Sequence, residues 1–245
     1  MYENVDKIFH IRPSDNMKKS GWFLHSGSET PVPKHILPAL ESFTETRISD
    51  ASWKGIQDAR VRMVILTVLA NRKRNGHVQN CRGIRTLPPS AYESLKFETD
   101  QRVELLWTYR RRPVRFVGTM RYCLRRLDEP YPLFIIDDNL HRDHTLAYLD
   151  MIHHARKEAG LPGRTIYGLT TDSYEWYFIR VEKDATYTTQ LLSGYLSQWE
   201  DIVSAIGAMI DHAAGCQSGI TLGPADLDWH MCILTPSRRA LRALS

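Results

Sequence analysis

The alternation of apolar and polar positions divides the chain into helical and extended stretches. WKGIQDARVRMVILTVLANRKR (Trp53–Arg74) has the length and apolar density of a largely buried helix. Ser49, Asp50 or Ser52 supplies a capping side chain at its start, and Arg72, Lys73, Arg74 and Gly76 suit its end. VELLWTYRRRPVRFVGTMRYCLRR (Val103–Arg126) reads as an antiparallel pair of strands turning near Pro113, or as three short strands. Pro113 has no N–H for a central ladder, so it marks an edge or a turn. PLFIIDD (Pro132–Asp138) is an unbroken apolar run of the kind buried on both faces.

DHTLAYLDMIHHARKEAG (Asp143–Gly160) places Leu149, Ile152, Ala155 and Ala159 on one helical stripe, with Gly160 and Pro162 as stop signals. RTIYGLTTDS and EWYFIRVEK predict two strands around a turn at Asp172–Ser173, and TYTTQLLSG another. SQWEDIVSAIGAMIDHA (Ser197–Ala213) opens with Ser197 and Glu200 at capping-box spacing and lines up Trp199, Ile202, Val203, Ile206, Met209 and Ile210. Helix, strands, helix, strands, helix is the order of an α/β or α+β domain. Residues 1–35, broken by Pro13, Gly21, Gly27, Pro31 and Pro33, read as an arm or extension. Residues 76–100 read as a linker or irregular insert, 36–215 as the domain and 216–245 as a C-terminal tail ending in the basic SRRALRAL.

Charge changes this picture in one place. The chain carries a net charge of +4, yet between Gln101 and Arg126 there are eight arginines against the single acid Glu104. That local excess of seven leaves the remainder with three more acids than bases. Such a stretch is either a phosphate-facing surface or a solvated hairpin whose long arginine stems cover apolar neighbours. Cys81, Cys123, Cys216 and Cys232 are far apart, which argues against a zinc site or a disulfide framework. With no long apolar span and no apolar leader at the N-terminus, the expectation is an intracellular protein, cytoplasmic or nuclear, without a membrane role.

Most catalytic patterns are excluded. His141–Asp143 spells the His-Arg-Asp of a protein-kinase loop, but Tyr148 stands where that loop needs its metal-binding Asn, and no Asp-Phe-Gly follows. The glycine-rich nucleotide loops and the Gly-x-Ser-x-Gly nucleophile turn are absent. His153 and His154 do not share a helix face. His141 and His144, with Asp137 or Asp138 as a third ligand, are the one set suited to a metal, and a polar helix start accounts for them equally well.

MIHHARKEAGLPGRTIYGLTTDSYEWYFIRV (Met151–Val181) resembles a set of fungal PD-(D/E)XK nuclease-like proteins, and the resemblance extends more loosely over residues 100–185. It implies a central mixed β-sheet flanked by helices. In that family two acids on adjacent strands bind Mg²⁺, which activates the attacking water. A Lys two residues after the second acid steadies the developing charge, and an acid from the first helix often completes the site.

Carried onto this chain, FVGTMRYCL aligns with the first strand and puts Arg121 where the family has Asp. LFIIDDN aligns with the second, with Asp137 in the acid's place and Asn139 in the lysine's; Asp58 is the helix acid. Arg121 has no acceptor atom and stays protonated, so it cannot ligate a cation. Regular alternation puts Met120, Tyr122 and Leu124 on one face and Arg121 on the other, where a guanidinium would pair with Asp137 in the metal's stead. The resemblance therefore implies a catalytically degenerate member, with neither metal nor other cofactor, that binds nucleic acid or a protein partner through Arg110, Arg111, Arg112, Arg115 and Arg125. Two alternatives stay open: an active Mg²⁺-dependent nuclease with relocated acidic ligands, and a protein-interaction module with no nucleic-acid role.

Overall fold

The computed structural model describes residues 11–14, 33, 35–45, 50–79, 85–109, 112–137, 141–161, 164–196 and 198–215. A seven-stranded mixed sheet runs in the order β1-β9-β8-β7-β6-β5-β4. Its strands are β1 (Arg12–Pro13), β4 (Leu95–Tyr109), β5 (Arg112–Arg126), β6 (Phe134–Asp137), β7 (Ile166–Thr171), β8 (Glu175–Val181) and β9 (Thr186–Ser193). The helices are α1 (Ile36–Glu45), α2 (Asp50–Asn75), α3 (Ser90–Glu93), α4 (Arg142–Glu158) and α5 (Trp199–Gly215), and a small hairpin pairs β2 (His77–Gln79) with β3 (Arg85–Leu87). The architecture is α/β, with helices on both sides of the sheet.

Local chemistry explains most of these elements. The apolar run of β6 is buried at every position, because β5 flanks it antiparallel, β7 flanks it parallel, and helices cover both faces. α4 is the crossover that the parallel β6–β7 pair requires. It lies so close to the sheet that a side chain at Gly168 would collide with Leu149 and Thr145, and one at Gly118 with the Tyr148 ring. The opposite face is covered by α5, where His212 meets Tyr167 edge-on and Trp199 meets Trp176. The Asp172–Ser173 turn forms as expected: Ser173 takes φ 74° and Asp172 Oδ1 accepts the N–H groups of Tyr174 and Glu175.

Several segments differ from expectation. Part of the arm joins the sheet, since Arg12 and Pro13 pair in parallel with Thr186 and Tyr187 and Ile11 is buried. The supposed linker contains the β2–β3 hairpin, α3 and the first six residues of β4. α1 was unforeseen; its Ile36 and Leu40 are buried. Ser197, half of the expected capping box, and the tail 216–245 lie outside the described residues.

The pleat of the sheet also breaks once. Phe97 and Tyr122 stack on the side of α2, where the Arg62 guanidinium lies 5.4 Å from the Tyr122 centroid. Yet Val103 and Met120 line a small apolar cavity with Met151, Ile152 and Ala155 of α4, on the other side. Uninterrupted alternation would keep Met120 with Tyr122 and Val103 with Phe97. The break falls at Asp100, which takes φ 52° in mid-strand, and the ladder steps from Thr99–Tyr122 to Gln101–Met120 across it. Aspartate is among the few residues that tolerate this conformation without glycine's freedom.

A buried ion pair ties the helical layer together. Arg72 of α2 donates from Nε and Nη2 to the two carboxylate oxygens of Asp211 on α5 at 2.8 and 3.1 Å. The Tyr92 hydroxyl of α3 donates to the same carboxylate at 2.7 Å. Burial, reinforced by Asp211, pushes the Tyr92 phenol far above its ordinary pKa. Removing the shared carboxylate strands a buried guanidinium and a phenol together. Asp211→Ala is expected to lower stability by about 3–5 kcal/mol, read as a fall in the urea midpoint at unchanged slope.

Candidate functional site

The candidate site residues gather in two places, on opposite sides of the sheet. The first is built on Arg121. Its Nη1 donates to Asp100 Oδ1 at 2.6 Å and its Nη2 to Asp58 Oδ1 at 3.1 Å. Asp58 also faces Arg62, one helical turn on, with Oδ2 2.9 Å from Nε. The hydrogen bond to Asp100 is the main cause that raises the Arg121 pKa, with Asp58 adding to it. Two carboxylates and two guanidiniums thus alternate in a charge-balanced cluster at the break in the pleat. Chemically it holds a fixed cation between two acids and leaves the guanidinium no means of activating water.

The second place is the C-terminal end of β6. Asp137, 6% exposed, lies 2.7 Å from His144 Nδ1 in the first turn of α4. The His144 ring packs against Tyr148, whose hydroxyl donates to Thr119 O at 3.2 Å and accepts from Thr119 N at 3.1 Å. The expected Arg121–Asp137 pair is thereby corrected. The break at Asp100 turns Arg121 toward Asp58 on α2, while Asp137 points to α4 and takes His144. Asp58 and Arg121 come together; Asp137 stands apart from them; Asn139 lies outside the described residues. Asp100, which completes the Arg121 cluster, sits in a stretch read from sequence as linker. Its only local signal is the alternation of KFETDQRVE, which continues the strand upstream of Val103.

The basic stretch is a protruding ribbon. β4 and β5 pair from Leu95–Arg126 out to Tyr109–Arg112, but β6 flanks only Tyr122–Leu124, so the far half is two-stranded. Arg112 and Arg115 are exposed on it, and Arg110 and Arg111 at its turn lie outside the described residues. Arg115 makes a bidentate contact with Glu104 at 2.5 and 2.7 Å, and Arg102 approaches the same carboxylate at 3.7 Å. Arg125 does not belong to this surface. It is 8% exposed and donates to Glu98 at 2.8 and 3.0 Å. Burial alone would raise the Glu98 pKa, but the hydrogen bonds from Arg125 and Lys96 outweigh it and hold the carboxyl below its usual range. Arg126 is likewise directed to Asp128 and the carbonyl of Ala214. Of the eight arginines, Arg125 and Arg126 are largely buried and Arg121 is held by Asp58 and Asp100.

Among the described residues no group of three or more His, Cys, Asp or Glu is disposed to hold a metal, and no helix is long and apolar enough to cross a membrane. What fold and site define together is an α/β domain with a mixed sheet, a cation-filled acidic pair on one face and an Asp–His pair on the other. No protein-family model, curated protein or solved structure matches the chain.

The Asp137–His144 pair carries a pH dependence of definite sign. The hydrogen bond to Asp137 raises the His144 pKa against the lesser opposing effect of burial. Its stabilising contribution is therefore complete below the unfolded value of about 6.5 and is lost as pH rises through the higher folded value. Because the imidazole is half exposed, the contribution is at most about 1 kcal/mol. His153 and His154, whose pKa values burial lowers, act in the opposite sense. The difference in unfolding free energy between wild type and His144→Gln isolates the pair. It is expected to shrink as pH rises through neutrality, and a constant difference contradicts the assignment.

Proposed function

We propose that the chain is a catalytically degenerate PD-(D/E)XK nuclease-like protein that binds nucleic acid through its arginine-bearing ribbon. The observation that carries this reading is the guanidinium of Arg121 between Asp58 and Asp100. It is the residue aligned with the family's metal-binding Asp, and the acid expected from the first helix grips it, whereas Asp137, aligned with the second acid, faces away and pairs with His144. The order β5, β6, α4, β7, in which the matching segments occur, supports the same reading. An arginine in that seat supplies the positive charge of a divalent ion without its Lewis acidity, so binding survives and hydrolysis does not.

The ribbon supports nucleic acid over a protein partner on grounds of shape and charge. A two-stranded β-ribbon fits the major groove, and arginines grip phosphates through charge-assisted hydrogen bonds. YRRRPVR at its end brings four arginines within seven residues. Affinity for a short DNA or RNA duplex, measured by fluorescence anisotropy, is expected to fall steeply with added salt. The Arg110→Ala/Arg111→Ala/Arg112→Ala variant should flatten that dependence by about two to three units of log–log slope. Binding indifferent to salt and to this variant favours the protein-interaction reading. Plasmid nicking that EDTA abolishes favours the active nuclease.

The occupied seat has its own test. Arg121→Asp leaves three carboxylates where one guanidinium and two carboxylates stood. It is expected to gain millimolar Mn²⁺ or Mg²⁺ binding by calorimetry, which wild type lacks. Wild-type binding of the ion, lost in Asp58→Ala, would refute the occupied seat.

A further inference from the structure

Tyr174, in the turn between β7 and β8, is the middle of three nearly parallel rings. Trp53 of α2 stacks on it with centroids 5.5 Å and planes 8° apart, and Tyr195 with centroids 4.4 Å and planes 5° apart. Buried Arg60 fixes the middle ring: its Cζ lies 4.2 Å from the Tyr174 centroid and its Nη2 donates to the Tyr174 hydroxyl at 3.2 Å. Backbone holds the outer ring in place, since Gly194 N donates to Tyr174 O at 2.7 Å at the head of the 3-10 turn Gly194–Leu196. Tyr174 is 5% exposed, whereas Tyr195 is 65% exposed although one of its faces lies on Tyr174. Its other face is therefore open to solvent, on a ring that the stack holds rigid.

The charge around that ring selects what it would take. Tyr195 has its phenol pKa raised by burial first and then by the charge of Asp172, with Glu175 contributing in the same sense and Arg60 opposing. The geometry places both carboxylates beside the ring under Tyr195: Asp172 Oδ1 accepts the N–H groups of Tyr174 and Glu175 at 2.9 and 2.8 Å, against the single buried guanidinium of Arg60. We propose that the open face of Tyr195 docks an arginine side chain from a basic peptide segment of a partner protein. A guanidinium lies flat on an aromatic face and is attracted by its quadrupole, and nearby carboxylates add to the attraction. A nucleobase would stack equally well, but the phosphate it carries would meet those carboxylates. The platform is already ordered, so docking costs it little conformational entropy. This surface is distinct from the arginine ribbon and takes a ligand of opposite charge.

The test is calorimetry of the full chain with an acetylated, amidated tri-arginine peptide. Saturable binding is expected, weakened about fivefold in Tyr195→Ala and Tyr195→Leu and held within about twofold in Tyr195→Phe. Glu175→Gln should weaken it and reduce its salt dependence. The unfolding midpoint of each variant is measured alongside to confirm that it is folded at the temperature of the titration, and Tyr195→Leu preserves bulk while removing the aromatic face. Peptide binding unchanged in both Tyr195→Ala and Tyr195→Leu overturns the proposal. So does tighter binding of adenosine monophosphate than of the peptide, lost in the same two variants.

Discussion

A single backbone conformation at Asp100 decides how the two sides of the sheet are equipped. With φ 52° in mid-strand, it reverses which residues of β4 and β5 face α2 and which face α4. On one side of the break Phe97 and Tyr122 pack under α2; beyond it Val103 and Met120 pack under α4. The carboxylate that permits this conformation also receives Arg121, so the strained step and the ion pair stabilise one another. Asp58 completes the clamp from the helix, linking the edge hairpin to α2. If the step at Asp100 were regular, Arg121 would lie on the face of Asp137 and the cluster would not exist.

The same economy governs the other buried charges. Arg72–Asp211 with Tyr92 joins three helices, Arg125–Glu98 with Lys96 joins the two strands of the hairpin, and Glu129 holds Arg156 of α4 together with Arg164. A buried ion pair contributes little net stability against an apolar replacement, but breaking one leaves an uncompensated charge. These pairs therefore specify which of these segments lie together. They also draw arginines away from the surface, so a stretch with seven excess positive charges in sequence presents fewer of them to a partner. At the described end of the ribbon Arg112 stays exposed.

The two surfaces suited to partners are of opposite character. The ribbon projects past β6 with arginines on a two-stranded support, while the ladder ending at Tyr195 offers a flat ring beside carboxylates.

Much of the architecture was legible along the chain. Apolar runs and helical stripes identify β6, α2, α4 and α5, because burial on one or both faces requires those periods whatever the neighbours are. The turn at Asp172–Ser173 follows from side-chain chemistry that acts over three residues. The structure brings Asp58 and Arg121 together and separates Asp137 from both. Their common partner was not legible, nor was the partner of Asp137. A departure from regular pleat at one residue leaves composition and period untouched, yet it exchanges the faces of everything around it. Local sequence determined which segments are strands and helices; only the assembled sheet decided which side each charge would reach, because facing is set by backbone rotation at Asp100 and by long-range ion pairs that no local pattern encodes.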